Sequence, residues 1–113
     1  MDAHIGQMVG ELEKRGLTEN TVVIFISDNG YAFPRGKGTL YDSGIQTPMV
    51  IQWEGKIEPG SVYKELVSTI DLTPTLLDIA GIKRSEEFYG QSLKPVLFDQ
   101  SIQGREMVFA ERN

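Results

Sequence analysis

Ile5, Met8, Val9 and Leu12 recur at helical spacing, while Gln7, Glu11, Glu13 and Lys14 fall on the opposite side of the turn. This pattern predicts an amphipathic helix over residues 2 to 15, with Asp2 as its N-cap and Gly16 as its stop. The periodicity then disappears. Val22, Val23, Ile24, Phe25 and Ile26 form an unbroken run of β-branched and aromatic residues, the pattern of a strand over Thr21 to Ser27 that is buried on both faces. Residues 30 to 47 are rich in glycine and poor in apolar periodicity, which predicts a long loop, and long loops inside compact domains tend to carry function. Pro48 to Trp53 reads as a second buried strand, with proline tolerated at its first position.

The second half is less regular. Glu54 to Gly60 is turn-rich, and Val62 to Ser68 reads as a short strand or an extended connector. Asp71 or Thr73 is placed to cap a helix opening near Pro74, with Leu76, Leu77 and Ile79 as its apolar face and Gly81 as its end. Lys83 to Glu87 is charged and expected to be exposed, Tyr89 to Leu97 suggests a turn feeding a short helix, and Met107 to Ala110 reads as a strand. The helix-to-strand order places the chain in the α/β class, as a layered sheet with flanking helices. Its two ends run directly into or out of predicted elements, so residues 1 to 113 are expected to be a fragment of a single domain.

Composition narrows the partners. Sixteen acidic against eleven basic side chains give a formal charge of −5, which disfavours nucleic acid and anionic membranes over the surface as a whole. Any anion site is therefore local. Cysteine is absent, so within these residues there is no disulfide, thiolate metal site or cysteine nucleophile. No apolar run approaches the roughly 20 residues needed to span a bilayer. The single histidine, His4, sits in the first turn of the predicted helix, and zinc sites usually need three or four protein ligands, so zinc is disfavoured.

The candidate chemistry lies where the first strand ends. Ser27, Asp28, Asn29 and Gly30 follow its C-terminal end, the place where open α/β sheets gather ligand-binding groups. Taken alone, Asp28-Asn29-Gly30 is a turn signal. Carboxylate and amide oxygens are also the hard donors that calcium or magnesium prefers. Lys37, bracketed by Gly36 and Gly38, adds a compact cation on a backbone that permits close approach, so a metal-ligand pair and a cation can converge on one anionic group. Arg35 is a second nearby cation that reads first as surface charge, and Tyr41 and Asp42 are candidates for the same pocket. Trp53 reads as a core or rim residue before it reads as a sugar-stacking platform. Dinucleotide, P-loop and nucleophile-elbow motifs are missing, which leaves nucleotide-binding and serine-hydrolase readings unsupported.

Together, MDAHIGQMVGELEKRGL, TVVIFISDNG, GKGTLYDSGIQTPMVIQW, VSTIDLTPTLLDIAGI and YGQSLKPVL resemble the C-terminal part of the catalytic domain of formylglycine-dependent sulfatases, in the alkaline-phosphatase-like superfamily. The loop spelling, with Phe33-Pro34 ahead of Gly36-Lys37 and Leu40-Tyr41, is most similar to the heparan N-sulfatase (sulfamidase) branch, although Lys37 stands where members of that branch often carry arginine. The resemblance implies a partial sulfatase-like layered sheet. It implies Asp28 and Asn29 as two ligands of a calcium ion, in preference to magnesium, and Lys37 as a contact to the substrate's sulfate. It also implies a sulfated glycan, such as one bearing N-sulfoglucosamine, or another sulfate ester or sulfamate as substrate. A periplasmic, secreted or lysosomal setting would fit the family.

In the mechanism implied by the resemblance, a hydrated formylglycine attacks sulfur in line and the covalent sulfoenzyme collapses to aldehyde and free sulfate. The formylglycine arises from a Cys/Ser-x-Pro-x-Arg segment near the family's N-terminus, and these 113 residues contain none. The expectation is a chain that carries part of the calcium and sulfate site, is inactive alone, and self-associates through uncovered apolar surface. The competing expectation is a non-catalytic calcium- or anion-binding module, or a structural remnant of the same fold.

Overall fold

The computed structural model describes residues 1–83, 88–98 and 105–111. Its residues group into two units, Met1–Pro59 with Ala110–Asn113, and Gly60–Phe109.

The first unit opens with helix α1, Asp2–Lys14. Its N-cap is Met1, so Asp2 sits inside the first turn, where its charge complements the helix dipole without capping it. The predicted stop is exact in mechanism. Leu17 N donates to Leu12 O at 3.0 Å and Gly16 N to Glu13 O at 3.0 Å, the paired bonds of a Schellman ending, with Gly16 at φ 63. A 3-10 turn, Thr18–Asn20, leads to strand β1, Val23–Ile26. Strand β2, Met49–Gln52, pairs with it antiparallel, Val23 opposite Gln52 and Ile26 opposite Met49. The Trp53 indole donates to Glu19 O at 2.7 Å, tying the end of β2 to the turn before β1, so Trp53 is a half-buried structural tie.

Both strands are less covered than the sequence suggests. The described sheet has two antiparallel strands, and β1 is half-buried along Val23–Phe25 and exposed at Ile26. β2 alternates between half-buried and exposed, so Val50 faces outward. An uninterrupted apolar run shows that a strand can be buried on both faces, whereas actual burial needs elements packed on those faces. Pro48 lies just before β2, and its carbonyl accepts from Ser27 N at 3.4 Å, continuing the ladder past β1.

The second unit is built around a 3-10 turn, Thr69–Asp71, that runs directly into helix α3, Leu72–Ile79. Between the strands of the first unit lies the short helix α2, Asp42–Ile45, and after α3 comes α4, Lys94–Phe98. Gly81, at φ 70, closes α3 with a second Schellman pair, Ile82 N to Leu77 O at 2.9 Å and Gly81 N to Asp78 O at 3.2 Å. Asp71 does not cap α3 with its side chain. The carboxylate instead completes a capping box with Ser68, accepting from Ser68 N at 2.8 Å. The segment read as strand or connector at Val62 to Ser68 holds a single antiparallel bridge, Leu66 to Arg105. Met107 to Ala110 forms no strand. Arg84 to Glu87 of the predicted charged segment lies outside the described residues, and Lys83 is exposed as expected.

Asp71 is fully buried, and its partners explain why that is tolerated. Besides Ser68 N, it accepts from Gln91 N at 2.8 Å and from the Arg105 guanidinium. One turn along, the Thr75 hydroxyl donates to Asp71 O at 2.5 Å and accepts from Leu93 N at 2.7 Å. Leu93 is the buried large hydrophobic residue among those described. A polar knot with Leu93 and Pro74 therefore forms the best-covered part of this unit.

Candidate functional site

The candidate site residues are carried by the exit of β1 and the loop that returns to β2. Ser27 Oγ donates to Asn29 O at 2.9 Å, a local turn that ends the strand and places Asp28 and Asn29 at its tip. Asn29 Nδ2 donates to Gly30 O at 2.6 Å, so its amide oxygen is the atom directed away from that bond and suited to a cation. Asp28 is exposed, and among the described residues its carboxylate has no hydrogen bond or ion pair.

The loop is wound tightly on itself. Gly30 N donates to Gly44 O at 3.2 Å, Lys37 N to Tyr31 O at 2.8 Å, Gly36 N to Phe33 O at 2.9 Å and Thr39 N to Gly36 O at 3.1 Å. Gly36 is required by close approach: a Cβ there would lie 1.9 Å from Tyr31 O. The backbone of Lys37 is thus pinned to the first residues after the strand exit, while its ammonium is exposed. Arg35 adopts φ 67, the left-handed region that side-chain-bearing residues rarely enter. Its carbonyl accepts from Ser43 Oγ at 2.5 Å, and Thr39 Oγ1 lies 2.9 Å from the same oxygen and 2.7 Å from Gly36 O, its one proton shared between them.

A cavity of about 530 Å³ opens beside the strand exit, lined by Asn29, Tyr31, Asp42, Ser43, Gln46 and Thr47 among others. It contains one of the two expected metal ligands. Asp28 and Lys37 are not among its lining residues, and neither is Tyr41; Asp42, read from sequence only as a possible neighbour, is. The helix that carries Asp42 into the cavity, α2, was hidden inside a segment with no helical period. A short Asp-Ser-Gly-Ile turn leaves too few positions for periodicity to show.

Asp28 and Asn29 match a hard cation by the chemistry of their oxygens, and calcium takes six to eight such ligands. Among the described residues no group of three or more His, Cys, Asp or Glu is placed to hold a metal ion. These two residues thus fit as part of a larger ligand set. His4 is exposed on the first turn of α1 and does not line the cavity.

Residues 1–82 match the family model described as Sulfatase. The chain belongs to the sulfatase family. It is 42% identical over 92 residues to an ulvan-active sulfatase of Formosa agariphila, covering 81% of this chain and 15% of that protein. Among solved structures, it is similar to a protein in complex with its substrate D-glucosamine-2-N,6-O-disulfate, with TM-score 0.78 and 33% identity over 87% of this chain and 21% of that one. A phosphonate monoester hydrolase from Silicibacter pomeroyi superposes with TM-score 0.77 at 33% identity, over 86% of this chain and 20% of that one. The fold is accordingly the α/β layered architecture of the alkaline-phosphatase-like sulfatases. The family match spans the strand exit and the whole glycine-rich loop, and the chain spans between about one-seventh and one-quarter of the length of its curated relatives.

Proposed function

We propose that this chain supplies part of the active site of a sulfatase that hydrolyses sulfate esters or sulfamates of sulfated glycans. The observation that carries the reading is the family match across residues 1–82, which contains Asp28, Asn29 and Lys37 on one strand exit and its return loop. Asp28 and Asn29 would hold a calcium ion through carboxylate and amide oxygens, and that ion when bound supplies Lewis-acid polarisation of the sulfate. Lys37 would contact a sulfate oxygen, where its charge offsets the negative charge that builds up as the S–O or S–N bond breaks. Pinning of the Lys37 backbone to Tyr31 fixes where the flexible side chain starts, so less freedom is lost when it meets the anion.

The phosphonate monoester hydrolase shows that a closely similar fold also serves phosphorus chemistry. An amide at position 29 favours the sulfate reading, since zinc-dependent phosphoryl enzymes rely on imidazole where this chain offers a hard oxygen. The sulfamidase branch and the preference for calcium are parts of the same proposal. Its test is ion chromatography of free sulfate after the intact gene product is incubated with 6-O-sulfated and N-sulfated glucosamine, alongside an aryl phosphonate monoester. Sulfate release that is lost on chelation and restored by calcium is expected. Turnover of the phosphonate alone would overturn the reading. We further infer that the 113-residue chain by itself associates with its own copies, because it leaves apolar side chains such as Met8, Val50 and Phe109 exposed.

A further inference from the structure

Arg35 is the one described non-glycine residue with positive φ, and the conformation is actively held. Ser43 directs its hydroxyl proton at its carbonyl oxygen, the Thr39 hydroxyl is shared between that oxygen and Gly36 O, and Gly36, next in the chain, is packed against Tyr31 O so closely that no side chain fits. A residue with a Cβ costs roughly 1 kcal/mol in this region, a cost glycine would avoid. The loop already uses glycine at positions 36, 38 and 44, so an arginine held at a left-handed position points to a role for the side chain. Among the described residues the Arg35 guanidinium has no ion pair or hydrogen bond, and the residue is exposed. It stands two positions from Lys37, giving two cations without a partner among the described residues at one loop in a chain of net charge −5. On the same loop Tyr31 and Phe33 present exposed rings with centroids 5.7 Å apart, apolar surface of the kind a saccharide face covers.

We propose that Arg35 is a specificity residue that recognises a second anionic substituent, a carboxylate or a further sulfate, on a saccharide whose scissile sulfate is met by Lys37. This rests on the sulfatase reading above. A planar guanidinium pairs with carboxylate or sulfate oxygens through two parallel hydrogen bonds, whereas Lys37 offers a point charge, so the two cations suit different tasks. The left-handed backbone at Arg35, with the Ser43 hydroxyl on its carbonyl, fixes where the side chain leaves the loop before any ligand arrives.

The test is calorimetric titration of the intact gene product with D-glucosamine 6-O-sulfate and with D-glucosamine-2-N,6-O-disulfate, for wild type, Arg35→Gly and Arg35→Lys. Glycine relieves the backbone, so Arg35→Gly is expected to fold. Wild type is expected to prefer the disulfate by about five- to tenfold, in the range of one exposed charge-assisted contact. Arg35→Gly should bring that ratio close to one, and Arg35→Lys should restore part of it. A ratio unchanged in Arg35→Gly, or a wild type without preference, overturns the proposal. Sulfate release from the monosulfate by wild type and Lys37→Ala is measured in parallel. Its outcome decides the underlying sulfatase reading separately, because the binding ratio needs no turnover.

Discussion

Asp71 shows how far a single residue can depend on distant sequence. It reads locally as a helix cap, yet it is fully buried and binds Ser68 N, Gln91 N and Arg105, the last two 20 and 34 positions away. Asp71→Ala would leave Arg105 unpaired while it is only 16% exposed, along with two backbone donors, so a loss of about 3–5 kcal/mol in urea-unfolding free energy is expected. Asp71→Asn keeps the shape but loses the charge, and should recover only part of that stability. The proposed site residues behave in the opposite way. Asp28, Asn29 and Lys37 stand out as candidates because each lies within a few positions of the strand exit or a flanking glycine, and local context is what a sequence displays. In the intact gene product Lys37→Ala should lower kcat/KM for sulfate release by about 10²- to 10³-fold, as removal of a charge-stabilising contact does. A loss confined to KM would instead mark Lys37 as a ground-state binding group.

At the scale of elements, the glycine-rich loop is the decisive piece. It is held by backbone bonds that cross between Gly30 and Gly44 and between Tyr31 and Lys37, so small residues are needed where the strands of the loop touch. Gly36→Ala places a methyl group 1.9 Å from a backbone oxygen, and relief requires moving the main chain. The expected result is a loosened loop, seen as faster limited proteolysis within residues 30 to 47, with α1 and α3 intact by circular dichroism. Unchanged protection would mean that the loop has another packing open to it. The C-terminal ends of α1 and α3 were legible, since Gly16 and Gly81 each close a Schellman motif that the sequence marks with glycine. Strand coverage was not: Val22 to Ile26 has the composition of a doubly buried strand, and in the structure it is half-covered in an antiparallel pair with β2.

For the molecule as a whole, exposed apolar surface on both units leads to the expectation of concentration-dependent association of the 113-residue chain, measured by light scattering. A monodisperse monomer at high concentration would refute it. The same chain assayed alone should release no sulfate, because its residues include no Cys/Ser-x-Pro-x-Arg segment from which formylglycine is made. Sequence by itself determined the α/β class, the C-terminal ends of α1 and α3, the strand exit with its oxygen donors and the bracketed lysine, since these follow from periodicity, left-handed glycine positions and residue chemistry over short spans. Tertiary structure alone decided the antiparallel pairing, the entry of Asp42 into the cavity, the clamp on Arg35 and the burial of Asp71. Each of these depends on which distant backbone groups meet, and local preference does not encode that meeting.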